Sequence, residues 1–136
     1  MYPEEMVKPM RAELSDAGFQ ELHTTAAVEN AIKQDGTTLV VVNSVCGCAA
    51  RNARPGTKMS LNNAKKPTNL VTVFAGVDKD AVDAARGFMF PFPPSSPSIA
   101  LFKNGELVHM LERHHIEGRP AELIADNLKD AYNEFC

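Results

Sequence analysis

Thr37-Thr38-Leu39-Val40-Val41-Val42-Asn43-Ser44-Val45-Cys46-Gly47-Cys48-Ala49-Ala50-Arg51-Asn52-Ala53-Arg54 is the stretch on which the reading of the fold turns. Its first seven residues are rich in β-branched side chains and show little polar/apolar alternation, which marks a strand buried on both faces. Two residues later the pattern changes to an alanine-rich helix start, so two cysteines stand where a strand hands over to a helix. That position favours a thiolate, because free backbone N–H groups and the positive end of the helix dipole stabilise the anion. The thiolate is the nucleophile of thiol–disulfide exchange, so Cys46 is the candidate attacking group and Cys48 the candidate resolving thiol. On a regular helix, residues i and i+2 point to different sides, so closing this pair needs local distortion, which Gly47 eases.

Outward from this stretch the chain reads as alternating elements. Residues 3–16 carry Met6, Met10 and Leu14 as a helical stripe, with a kink or break expected at Pro9. Phe19–Leu22 reads as a short edge strand, and Thr24 or Thr25 as the cap of a helix through Ile32, closed by Asp35-Gly36. The helix that opens at the cysteines is expected to kink at Pro55-Gly56. Asn69–Ala75 is a second buried strand, followed by a helix over Lys79–Phe88 with Asp78 as its expected cap. Beyond the proline-rich Phe90–Pro97, two runs joined at Asn104-Gly105 form a hairpin, because Asn-Gly favours a type I′ turn. A closing helix from about Pro120 places Ile124, Leu128, Ala131, Tyr132 and Phe135 on one stripe. Strands alternating with helices call for parallel crossovers, and the hairpin adds antiparallel strands. The expected fold is α/β, a three-layer α/β/α sandwich on a mixed central sheet with an added N-terminal helix, in one domain spanning 1–136 with a helical extension over about 1–17.

Composition limits the partners. The 136 residues are 44% hydrophobic and 23% charged, with a net charge of −3, which argues against a broad electrostatic grip on nucleic acid. No apolar run approaches the ~20 residues that span a bilayer. The acidic start Met1-Tyr2-Pro3-Glu4-Glu5 is unlike a secretory signal, so a cytoplasmic protein is expected. In a reducing compartment, three cysteines do not make a structural disulfide framework, so the close pair calls for redox or metal chemistry. For a metal, His23, His109, His114, His115 and Cys136 show no tight ligand spacing, and no bound metal is expected. Cys136, at the chain end, reads as inert. Ser96-Pro97, directly before a strand, is a second candidate element, with a cis bond expected to lay the Ser96 backbone beside the thiol.

These pieces resemble a known fold family. Strand, cysteine-bearing helix start, helix-interrupting proline, strand, helix, Pro97 and the run Ile99–Val108 are similar to the thioredoxin fold over roughly residues 18–135. Two departures stand out: one residue separates the cysteines rather than two, and no tryptophan precedes them. The strand before Cys46 also offers Asn43 where the usual buried carboxylate would be. Val42–Ala49, Val71–Gly76, Pro93–Ser98 and Arg113–Gly118 resemble a narrower family, the bacilliredoxins, nearly end to end. That resemblance implies removal of the low-molecular-weight thiol bacillithiol from S-bacillithiolated client proteins. Cys46 would take the cap, Cys48 or free bacillithiol would resolve it, Pro97 would be the cis-proline, and Gly47, Ser96 and Pro97 would contact substrate. Bacillithiol would be a thiol co-substrate, with no other cofactor. A weak general disulfide isomerase or reductase, and a CxC metal-binding module, are the alternative readings. Arg51 and Arg54 are weighed as attracting bacillithiol's carboxylates, and His114-His115 as either a thiolate-stabilising patch or a polar exit from the hairpin.

Overall fold

The computed structural model describes residues 1–136. A five-stranded mixed sheet runs in the order β1-β3-β2-β4-β5, formed by β1 (Gln20–Glu21), β2 (Thr37–Asn43), β3 (Asn69–Phe74), β4 (Ser98–Lys103) and β5 (Glu106–Leu111). β1 and β2 both pair parallel with β3, while β4 pairs antiparallel with β2 and with β5. β2 is therefore central, and every one of its seven residues is buried. The missing alternation in its sequence has a direct cause. Val40 and Val42 join a core with α2 (Thr25–Lys33) and α4 (Lys79–Phe88) on one face, whereas Leu39 and Val41 join a second core on the other. The second core takes Leu14 from α1 (Glu4–Ser15), Ala53 from the cysteine-bearing helix, and Ile124, Leu128 and Tyr132 from α6 (Ala121–Phe135). The three layers expected from the sequence are present.

The hairpin turn has Asn104 and Gly105 both at positive φ, 50° and 85°, as a type I′ turn requires. Its tip is tied to the turn before β2, where the Gly36 N–H donates to Asn104 Oδ1 at 2.8 Å and the Asn104 N–H to the Gly36 carbonyl at 2.8 Å. Thr24 caps α2, its hydroxyl accepting the Ala27 N–H at 3.1 Å.

Four expectations are corrected and one element is added. α1 runs unbroken through Pro9, which lies on its exposed side. Of the expected stripe Leu14 is buried and Met10 half-buried, but Met6 is exposed, and Val7 and Arg11 complete the buried face. Arg11 is buried because its guanidinium meets Asp78 through two hydrogen bonds of 2.9 and 3.0 Å. For the same reason Asp78 makes no side-chain cap on α4; its carboxylate accepts from Arg11, from the Phe74 N–H and pairs with His23 Nδ1. The irregularity expected at Pro55-Gly56 lies one turn earlier. Ala49–Ala53 is a π-helical turn that passes into α3 (Arg54–Ser60). A widened turn drops one step of the helical hydrogen-bond ladder, and Pro55, lacking an N–H, has none to contribute there. Gly56 has another role: a Cβ there would meet Ile124 and the Ala121 carbonyl oxygen, so its absence lets α3 and α6 approach closely. Finally, the hairpin leads into a short helix the sequence did not suggest, α5 (Arg113–Ile116).

Candidate active site

The handover from β2 to the cysteine-bearing helix is built from short hydrogen bonds. Asn43 Oδ1 accepts the Ser44 N–H at 2.8 Å, and Ser44 Oγ accepts the Cys46 N–H at 3.2 Å. The Cys46 carbonyl accepts from both Ala49 and Ala50, at 3.0 and 3.2 Å, which starts the helix. Cys46 and Cys48 are joined as a disulfide with their Cα atoms 5.4 Å apart. The two sulfurs are not equivalent in access. Cys46 is half-buried and Gly47 exposed, while Cys48 is only 8% exposed.

Beneath the pair lies a buried cation. Arg54 is 2% exposed, and its Nη1 donates to Asn43 Oδ1 at 2.9 Å and to the Ser44 carbonyl at 2.8 Å. Its Nε faces Glu13 Oε2 across 3.1 Å. Arg54 thus holds the backbone that leads to Cys46 and cannot reach an incoming ligand, which removes it from the pair of arginines weighed for that role. Arg51 remains on the surface, its guanidinium folded over Gly47: a Cβ on Gly47 would stand 2.7 Å from Arg51 Nη2.

The disulfide opens into a cavity of about 590 Å³. Besides Cys46, Gly47 and Cys48 it is lined by Arg51 and Asn52 from the same helix, and by Arg113, Glu117, Gly118, Arg119 and Pro120 from α5 and the loop before α6. Gly118 turns that loop at φ +79°, and Asn52 Nδ2 donates to the Arg119 carbonyl, tying the loop to the cysteine-bearing helix. Arg113 is held by Glu117 at 3.1 Å and by the Ser96 carbonyl, to which its Nη1 donates at 3.3 Å. The Ser96-Pro97 bond is cis. Pro97 is buried and Ser96 half-buried, and neither lines the cavity; Ser96 meets it through Arg113.

His114 and His115 do not line this cavity either. His115 closes a capping box with Glu112, its Nδ1 accepting the Glu112 N–H at 3.0 Å, which favours the polar hairpin exit over the thiolate-stabilising patch. Burial pushes the His115 imidazole below its usual pKa, helped by the neighbouring His114, and Glu112 only partly opposes this. Glu112, His114 and His115 are the one group of side chains close enough together to share an ion, with ligating atoms within 4.8 Å. The cysteines belong to no such group. Cys136 is a free, exposed thiol. No helix is long and apolar enough to cross a membrane. In the sequence Arg113 figures only as part of the Arg113–Gly118 run and Arg119 not at all, since nothing local to them signals that α5 and the loop after it border the cysteines.

Comparison with known proteins agrees with this geometry. A family model described as "Disulphide isomerase" matches residues 2–136. The chain is 60% identical to a bacilliredoxin of Cytophaga hutchinsonii over 135 residues, 99% of this chain and 100% of that one. It is 54% identical to one of Shouchella clausii (99% and 94%) and 49% identical to one of Koribacter versatilis (100% and 94%). Among solved structures it is similar to oxidised mitochondrial thioredoxin 3 of Saccharomyces cerevisiae, with TM-score 0.60 and 15% identity over 90% of this chain and 98% of that one. A putative oxidoreductase with a thioredoxin fold matches at TM-score 0.62 and 20% identity, over 78% and 91%. The fold is that of thioredoxin.

Proposed function

The chain belongs to the bacilliredoxin family and is a thiol–disulfide oxidoreductase, and on that premise we propose that it removes bacillithiol from S-bacillithiolated proteins. The observation that carries this reading is the unequal pair on one cavity wall, Cys46 half-buried and Cys48 only 8% exposed. In the reduced protein the Cys46 thiolate attacks the bacillithiol sulfur of the mixed disulfide. The client's sulfur leaves as a thiolate and takes a proton, and Cys46 now carries the cap. Cys48, deprotonated, then attacks the Cys46 sulfur, bacillithiol leaves as its thiolate, and the Cys46–Cys48 disulfide forms. Two electrons and two protons from a thiol reductant restore the pair. Free bacillithiol attacking the capping sulfur is the other way to clear Cys46. Gly47 lines the cavity beside Cys46, Ser96 reaches the cavity through its carbonyl's bond from Arg113, and Pro97 sets the Ser96 backbone through the cis bond. No cofactor beyond the thiol co-substrate enters this cycle, and the clients are cytoplasmic proteins.

A general disulfide isomerase or reductase is the second reading, favoured by the description of the matching family model. One experiment separates the two. A reporter enzyme is inactivated by capping its active cysteine with bacillithiol, and an identical one with glutathione. Reduced wild type should restore the bacillithiol-capped reporter faster, Cys46→Ala should be inactive, and Cys48→Ala should accumulate the capped Cys46 adduct, visible by mass. Equal rates on both caps favour the general reductase. Activity in Cys46→Ala overturns the assignment of the nucleophile.

A further inference from the structure

Resting on the reading above, we propose that the cavity beside the disulfide is a carboxylate-recognition subsite, in which Arg51, Arg113 and Arg119 bind the carboxylates of the thiol cap. The cavity wall carries three guanidiniums against one carboxylate, in a chain whose overall charge is −3. Positive charge is thus concentrated at the redox pair against the trend of the whole molecule. Arg113 is paired with Glu117, but Arg51 and Arg119 have no carboxylate within ion-pair distance. A guanidinium without an internal partner, at the edge of a concave surface, presents a planar fork that matches a carboxylate in two-point contact.

The three groups come from two parts of the chain held in fixed relation. Arg51 lies over Gly47, so a ligand bound to Cys46 sits beside its guanidinium. The Arg119 backbone is tied to the cysteine-bearing helix by the Asn52 bond to its carbonyl, so that Arg119 lines this cavity as well as the groove beside His115, and Arg113 is held by its contacts with Glu117 and Ser96. The volume, about 590 Å³, accommodates a small thiol conjugate rather than a folded protein surface. The class of ligand this recognises is a low-molecular-weight thiol bearing more than one carboxylate, as bacillithiol is.

The test uses one reporter with two caps: bacillithiol, and bacillithiol with its carboxylates methyl-esterified. Wild type should prefer the free-carboxylate cap, and the preference should shrink on raising salt, since exposed charges are screened over about 8–10 Å at 0.1–0.15 M. Arg51→Gln and Arg119→Gln should each reduce the preference about 3- to 10-fold, the range expected for a partly exposed charge-assisted hydrogen bond. Glu117→Gln, which frees Arg113 and removes the opposing charge, should increase it. Equal removal of both caps by wild type overturns the subsite and leaves the redox chemistry standing. Failure of wild type to remove either cap overturns the reading on which the subsite rests. Arginine variants that slow both caps equally also overturn it, because they would then be acting on the cysteines and not on the carboxylates.

Discussion

Gly56→Ala sets local helix preference against the packing that brings α6 to the cysteines. Alanine is the better helix former by about 0.5–1 kcal/mol, so judged on α3 alone the change should stabilise. In the folded protein the new Cβ would lie 2.8 Å from both Cβ and Cγ2 of Ile124 and 3.0 Å from the Ala121 carbonyl oxygen. Carbon atoms pack at about 3.5–4.0 Å, so α6 must withdraw by roughly 0.7–1 Å. Two of the three obstacles are a Cβ and a backbone carbonyl, which no rotamer change can move. α6 is also anchored, with Tyr132 Oη and Ser60 Oγ 2.9 Å apart in a buried hydrogen bond between α6 and α3. Overpacking of this kind costs about 1–3 kcal/mol. Subtracting the helix-propensity gain leaves a net loss of up to about 2.5 kcal/mol, or up to roughly 10 °C in the melting temperature of a domain this size. Thermal and urea unfolding of the oxidised protein would read this directly. A double-mutant cycle with Ile124→Ala, which removes Cγ2 but not Cβ, should show the pair less destabilised than the sum of the singles. A melting temperature that rises in Gly56→Ala would refute the reasoning, because it would mean that propensity outweighs the helix–helix contact.

Arg54→Met removes two charge-assisted hydrogen bonds, to Asn43 Oδ1 and the Ser44 carbonyl. Because Glu13 is 39% exposed, its pairing with Arg54 adds little, and a loss of about 2–4 kcal/mol in urea unfolding is expected from the buried bonds; an unchanged midpoint would contradict this. For Asp78, burial works against the charged form, but hydrogen bonds from Arg11 and His23 outweigh it and hold the carboxyl below its usual range. A depressed folded value means the unfolded chain takes up the proton first as pH falls. The contribution is therefore complete above about pH 4 and is lost as pH drops through the folded value. In Asp78→Asn the fall in urea midpoint between pH 7 and pH 3 should shrink, and an undiminished fall would remove Asp78 from the acid response. Cys136→Ser should leave the single-turnover rate of cap removal as in wild type, since the thiol is exposed at the chain end; a slower rate would give Cys136 a part in the cycle.

The fold was legible in the sequence because its signals are local. A seven-residue β-branched run, a CxC at the helix start, Asn104-Gly105 and the stripe Ile124-Leu128-Ala131-Tyr132 each declare their element without help from distant residues. What escaped depends on long-range pairing. Arginine is ordinarily a surface residue, so nothing near Arg11 announces that its inward face is completed by Asp78, 67 residues on, or that Met6 faces out. Arg54 looked like a ligand-facing cation for the same reason, and its burial follows from Asn43 and Ser44 supplying acceptors from another element. The cysteine pair was legible as a site, but the walls of its cavity were not. Arg113 is set by α5 and its contacts with Glu117 and Ser96, and Arg119 by the loop that Asn52 ties to the cysteine-bearing helix, both long-range placements.

The substitution of the buried acid changes where the proton of the resolving thiol goes. A carboxylate under a cysteine pair can accept a proton as that thiol becomes a nucleophile. Here the strand end carries Asn43, whose side-chain oxygen accepts from the Arg54 guanidinium, a group that has donors and no acceptor. Neither can take a proton, so the interior offers Cys48 no base from this side. A buried cation instead favours nearby negative charge, and it also fixes the Asn43–Ser44 backbone from which the Cys46 N–H is held. In the proposed cycle, the proton released when Cys48 attacks leaves through the cavity, the side on which Cys46 and Gly47 meet solvent. In that arrangement resolution proceeds once the cavity can pass the proton to water or to the departing thiolate of the cap.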